Sequence, residues 1–265
     1  MNIFLHELKS YRKSTIIWTV SLIVVAIMFF SMFPSFSKDI QKLTNVLKGF
    51  PESIRSGVGI SLESFNNILG YYSFPFTFIV LIGAIQGMNL GTSIISKEVC
   101  EKTSDFLLTK PISRTKILTY KLMAIVVSLL ITNIIYIIAT NIIISFVNNE
   151  DYSFKIFFMI SITLLFVQLI FMSLGLIVSV VLPKIKSVLS ISLATVFIFY
   201  FISFLSSTDA NDMTRYVTPF KYFNPTYIIE NGHYEIPFII MTLAFIVVSI
   251  TASYVIYSKK DIHAV

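Results

Sequence analysis

The chain has 265 residues, 55% apolar and 13% charged, with a mean hydropathy of +0.83 and a formal net charge of +6. Soluble domains average roughly 45–50% apolar and 25% charged residues, so a water-soluble globule is excluded. The one cysteine, Cys100, cannot close an internal disulfide, and no Cys/His cluster offers metal-ligand spacing.

Crossing ~30 Å of hydrocarbon takes about 20 helical residues. Six apolar runs reach that length: 15–33, 71–96, 122–147, 156–182, 187–206 and 236–257. The expected fold is therefore an all-α integral membrane protein of six transmembrane helices, one domain over 1–265, with no room for a soluble catalytic module. Lys9, Arg12 and Lys13 precede the first run and imitate a secretory signal. Its apolar stretch, 16–33, exceeds the ~7–15 residues of a signal core, so an uncleaved anchor is expected.

In the second run Gly83, Gly87 and Gly91 recur every four residues on one helix face. Lipid provides no apolar driving force for helix association, and missing side chains let two backbones close, so the stripe predicts tight packing. A partner helix in the same subunit is favoured, because six helices must first pack internally. Three glycines also permit bending. The amides Gln86, Asn89, Asn133, Asn141 and Gln168 lie in the second, third and fourth runs. They either bond across helices, at about 1 kcal/mol each, or line a pathway for amphipathic or apolar cargo.

No Asp, Glu or His falls inside the six runs; Glu235 borders the last and Lys121 the third. Proton-coupled carriers, intramembrane proteases and voltage sensors need an ionisable group in mid-membrane, so these classes lose support. A G-x-x-x-x-G-K-[ST] phosphate loop is also missing, since none of the nine glycines precedes a lysine. A pump built on this chain needs its motor elsewhere.

Between the second and third runs, Glu98 and Lys102 are spaced one helical turn apart in the favourable order, with Glu101 and Asp105 on a neighbouring stripe. Phe106, Leu107 and Leu108 form a short apolar patch among charges. Pro111 disfavours helix at Lys110, and Ser113 is placed to cap the helix that opens the third run. The pattern predicts a short helix, a break and a new helix, suited to docking a partner or to lying on the lipid surface. Farther on, in 207–235, Phe220, Tyr222, Phe223, Tyr227 and Tyr234 stand among Pro219 and Pro225. Such rings collect at headgroup level, so interfacial or re-entrant structure is expected.

Lys and Arg set orientation. With both termini cytoplasmic, the inner segments hold 13 of the 20 basic residues in less total length than the outer ones. The expected location is the plasma membrane, multi-pass, and the basic residues flank spans without forming a stripe for nucleic acid.

Glu98, Thr103, Leu107, Pro111, Ser113 and Arg114 together resemble the type-2 ATP-binding-cassette (ABC) exporter permease family: an acidic residue after the second span, a Thr, a Leu, then Pro-x-Ser-Arg before the third. Lys102 stands where that family often has Gly. Glu7 to Arg12, Pro219 to Phe223 and Tyr257 to Ile262 extend the similarity over almost the whole chain. The resemblance implies an amphipathic elbow helix at 1–14. It also implies a coupling helix within 97–112, where Glu98, Glu101, Thr103, Phe106, Leu107, Leu108, Pro111 and Arg114 meet an ATPase, and an outer gate or belt with Pro219, Phe220, Tyr222 and Phe223. Two ABC ATPase subunits would bind ATP and magnesium, leaving this chain without catalytic residue, cofactor or metal. A second permease, identical or paralogous, would complete an exporter of amphipathic or hydrophobic peptides, antibiotics or lipid-like molecules. Of the other classes, an embedded enzyme or maturation factor lacks a mid-membrane acid, base or metal ligand, whereas a passive channel or scaffold needs none.

Overall fold

A computed structural model describes residues 3–38, 49, 55, 67–101, 113–148, 151–182, 185–205 and 215–259, with backbone alone for 36–38, 97–101 and 114. The helices are α1 (Ile3–Phe30), α2 (Phe33–Lys38), α3 (Ile68–Glu101), α4 (Arg114–Val147), α5 (Phe154–Val181), α6 (Val188–Leu205), α7 (Pro225–Asn231) and α8 (Ile236–Lys259), with a 3-10 turn at Pro219–Lys221. No strand occurs among the described residues. Six segments are long and apolar enough to cross a bilayer: Ile3–Ser35, Ile68–Ser96, Thr115–Val147, Phe154–Val181, Val188–Leu205 and Ile236–Lys259. Helix is the form these runs must take, because hydrocarbon offers no partner for an unpaired backbone amide.

Six crossings put both ends of the chain on one side, here the termini face; the opposite side is the far face. Consequently α3, α5 and α8 run toward the termini face and α1, α4 and α6 away from it. The central pair is α3 and α5, parallel and mostly buried, while α1 packs on α4, α8 on α5 and α6 on α3. Outward faces expose Ile16, Ile17, Val20 and Val24 on α1 and Ile240, Leu243, Val247 and Val248 on α8, a surface that suits lipid and not water.

Local chemistry moves several boundaries. The stretch expected as a separate elbow is continuous with the first span, since α1 holds no Gly or Pro to break it and Thr15 Oγ1 bonds back to the Tyr11 carbonyl at 3.0 Å. The third span opens seven residues earlier than its apolar run and takes in Lys121. Ser113 does occupy the N-cap position of α4, with ψ 143°, but its side chain makes no cap bond; its hydroxyl lies 3.3 Å from that of Thr115. By contrast Asn224 caps α7, accepting from Thr226 N at 2.9 Å, and Pro225 supplies the first helical φ. Gly232, at φ 67°, ends that helix in the left-handed conformation that glycine adopts without strain.

Candidate functional site

The glycine stripe faces α5 of the same chain. A Cβ at Gly87 would strike the carbonyl oxygen of Gln168, and one at Gly91 that of Met172, whereas at Gly83 it would meet the side-chain tip of Leu164. Both stripes advance by four residues, so two parallel helices lie in register for about two turns. The seam closes from the other side at Gly175, whose absent Cβ leaves room for the Met88 carbonyl, 2.6 Å from where that atom would stand. Gly175 escaped the sequence reading because it is the lone glycine of its run; the small residue Ser179 one turn on was the available signal.

Where the seam crosses the middle of the bundle, the amides form a clamp. Gln168 Nε2 donates to Gln86 Oε1 at 3.0 Å, Gln86 Nε2 to Thr132 Oγ1 at 3.0 Å, and Asn133 Nδ2 to Gln168 Oε1 at 2.5 Å. Thr19 adds α1, its hydroxyl donating to Thr132 Oγ1 at 3.1 Å. All five side chains are buried. This layer separates an aromatic cluster toward the far face, containing Phe30, Tyr72, Phe76 and Phe157, from an aliphatic one toward the termini face, containing Leu90, Ile94, Leu129 and Leu176. Gln86, Asn133 and Gln168 are thus tied to one another, and neither Asn89 nor Asn141 joins them. Asn89 is half-buried on α3, and Asn141 accepts from the Tyr152 hydroxyl at 2.8 Å near the far end of α4. A second tie that sequence reasoning missed joins Tyr72 to Tyr136, hydroxyl oxygens 2.7 Å apart, and to Ser161 at 3.1 Å. Isolated hydroxyls in apolar runs carry no pattern that reveals such pairing.

Toward the termini face, Lys121 is 3% exposed, donates to the Ile94 carbonyl at 2.9 Å and lies 3.8 Å from a Glu7 carboxylate oxygen. One ammonium therefore joins α1, α3 and α4 near their termini-face ends. Of the expected coupling residues, Glu98 and Glu101 lie on the last turns of α3 and Arg114 opens α4. Thr103, Phe106, Leu107, Leu108 and Pro111 lie outside the described residues.

The segment before α8 dips into the bundle. Phe220 lies 5.2 Å, ring centre to ring centre, from Phe171. That residue stands about 26 Å along α5 from Phe154 at 1.5 Å per residue, so the turn reaches membrane depth and is re-entrant. Phe223 packs on Phe166 at 5.3 Å and Tyr222 on Phe238 at 5.4 Å, while Thr218 Oγ1 donates to the Phe199 carbonyl at 3.1 Å. Pro219 opens the turn and is buried. Arg215 braces it: the guanidinium pairs with Glu235, lies 4.3 Å above the Phe238 ring and donates through Nε to the Lys221 carbonyl at 3.2 Å.

Among the described residues no group of His, Cys, Asp and Glu is placed to hold a metal. What the described residues do is position helices against one another. A search of curated proteins finds no match. The family model described as ABC-2 family transporter protein, however, matches residues 1–262, and with six membrane-crossing helices over the same length the chain belongs to that family of multi-pass membrane permeases, which associate with an ABC ATPase.

Proposed function

We propose that this chain is the permease of an exporter that moves an amphipathic or apolar cargo out of the cell. Its motor is a separate ATPase, present in two copies that bind ATP and magnesium and act on a pair of permeases, identical or paralogous. The termini face is then cytoplasmic, in keeping with its 13 of 20 basic residues.

One mechanical observation carries this reading. The helices that lead into and out of the expected coupling segment, α3 and α4, are each 34 residues long, with Pro75 inside α3 near its far end. At about 51 Å each they exceed the ~30 Å hydrocarbon layer and extend beyond it. The glycine seam fastens α3 to α5, the amide clamp fastens α4 to both, and Lys121 ties their roots to α1. Closure of the ATPase against 97–112 would be transmitted to the bundle as rigid-body motion, the form expected of alternating access. In that motion Phe106, Leu107 and Leu108 supply apolar contact with the ATPase, while Glu98, Glu101, Thr103, Pro111 and Arg114 shape and orient the segment. The re-entrant turn around Pro219, Phe220, Tyr222 and Phe223 acts as the outer gate.

Replacing Phe106→Asp should cut ATPase co-purification by about tenfold or more, because a carboxylate forced into an apolar groove costs at least the ~1.4 kcal/mol of one decade. Undiminished retention of the ATPase by that variant refutes the docking role. Uphill solute movement in vesicles holding this chain alone refutes the proposal as a whole.

A further inference from the structure

A groove of about 340 Å³ lies between α1 and α4 in the half of the bundle toward the termini face. The two helices are parallel and in register here: Thr19 meets Thr132, and one turn nearer the termini face Thr15 and Ser128 form the groove floor. Both floor hydroxyls donate within their own helices, Thr15 Oγ1 to the Tyr11 carbonyl at 3.0 Å and Ser128 Oγ to the Ala124 carbonyl at 2.9 Å, so the floor is small and asks for no polar ligand. Ile16 and Ile131 form the walls and are exposed on the lipid-facing surface, so the groove opens sideways into hydrocarbon. Lys9 and Arg12 stand at its termini-face end. Thr19 is the middle residue of its span, and at 1.5 Å per residue the two cations lie about 10–15 Å from it, at the edge of a ~30 Å hydrocarbon layer. Glu7, the single carboxylate of α1 and α4, lies beside Lys121. Among the described residues the side chains of Lys9 and Arg12 have no ion-pair or hydrogen-bond partner.

We propose that this groove holds an anionic phospholipid of the termini-face leaflet, with its phosphate between Lys9 and Arg12 and the upper part of one acyl chain on Thr15, Ser128 and the two isoleucines. Charge and depth choose the occupant together. Side chains three residues apart on a helix stand ~5–6 Å apart at Cβ, a gap that one phosphodiester can bridge. A zwitterionic lipid brings an ammonium that the two cations repel, and a soluble anion would leave the apolar floor and walls uncovered. The volume lies at the low end of the ~300–1,000 Å³ of sites that enclose a small molecule, so the groove takes the phosphate and the start of a chain while the rest of the lipid stays in the bilayer. This site is separate from the re-entrant turn and goes beyond the export reading, since binding there needs neither cargo nor nucleotide.

The full chain, purified with its ATPase in neutral detergent without nucleotide, is titrated with dioleoyl phosphatidylglycerol or dioleoyl phosphatidylcholine and followed by native mass spectrometry. Phosphatidylglycerol should bind about tenfold or more tightly, the scale of two basic residues beside anionic lipid. Lys9→Gln combined with Arg12→Gln should abolish that preference, whereas Lys9→Arg combined with Arg12→Lys should keep it. Lys116→Gln combined with Lys259→Gln, which removes two exposed cations near the same face but outside the groove, should change nothing. Ile131→Trp, which fills the groove from its lipid-facing wall and leaves both cations, should abolish the preference even if the Lys9 and Arg12 double variant fails to fold. The proposal is overturned by equal binding of the two lipids, by a preference that survives either the Lys9 and Arg12 double variant or Ile131→Trp, or by an equal loss in the Lys116 and Lys259 control. Phosphatidylglycerol carried by single permeases but excluded from pairs also overturns it, because the groove would then belong to a second copy of the chain. None of these outcomes alters the Phe106 result, so the two readings fall separately.

Discussion

Gly91→Leu is expected to leave no folded permease in detergent extracts, and Gly91→Ala to destabilise the bundle by about 2 kcal/mol despite a better helix former at that position. Two effects oppose each other. Alanine favours helix over glycine by ~1 kcal/mol, whereas overpacking costs typically 1–3 kcal/mol and reaches the upper part of that range where nothing can yield. At Gly91 the obstacle is the Met172 backbone carbonyl, which moves only if α5 moves, so the steric term wins. Leucine adds three carbons to the same clash, and a cost above ~4 kcal/mol follows. Gly87→Ala meets the Gln168 backbone and should behave like Gly91→Ala. At Gly83 the nearest atom is the tip of Leu164, which can rotate away, so Gly83→Ala should stay within ~1 kcal/mol of the parent. Thermal midpoints read by size-exclusion chromatography rank these variants; a Gly91→Ala protein as stable as the parent would show that α3 and α5 do not meet along this stripe.

Gln168→Met has the second large effect, a loss of about 1–3 kcal/mol with volume nearly unchanged. The side chain at 168 both donates to Gln86 and accepts from Asn133, and interhelical hydrogen bonds in membranes average ~0.6 and reach ~1.7 kcal/mol each. The unmet group adds to the cost, because Gln86 Oε1 is left buried without that donor. Removing both ends should therefore cost less than the sum: the double variant Gln86→Met with Gln168→Met is expected to recover about 1 kcal/mol relative to additivity. Strict additivity in that cycle would mean the two amides act independently and the clamp is not a unit.

These stability effects bear on transport because the clamp lies between the termini face, where the ATPase is proposed to act, and the aromatic half that holds the re-entrant turn. A loosened clamp would let α3 and α4 move without carrying α5, and with it the turn packed on Phe166 and Phe171. Variants that fold yet slip in this way are expected to hydrolyse ATP at the parent rate while exporting less.

Span number, approximate span limits and the family resemblance were all legible along the chain, because transfer into lipid adds residue by residue and needs no knowledge of what a helix will touch. The glycine stripe was legible as a packing face for the same reason: its period is written in the order of residues. Its partner was not. That Gln168 and Met172 close the seam, that Gly175 returns the contact, and that Gln86, Thr132, Asn133 and Gln168 find one another depends on α3 and α5 lying parallel in one register, a choice made by all six helices together. Lys121 read as a span end because its charge dominated the local hydropathy, yet packing buries it against Ile94 and Glu7, whose positions in sequence are far away. Likewise the aromatic segment before α8 was compatible with a belt or with re-entry, and only the rings of Phe166, Phe171 and Tyr200 closing around Phe220 and Phe223 decided for re-entry. What is local and additive stood in the sequence; what depends on which surfaces meet was decided by the fold.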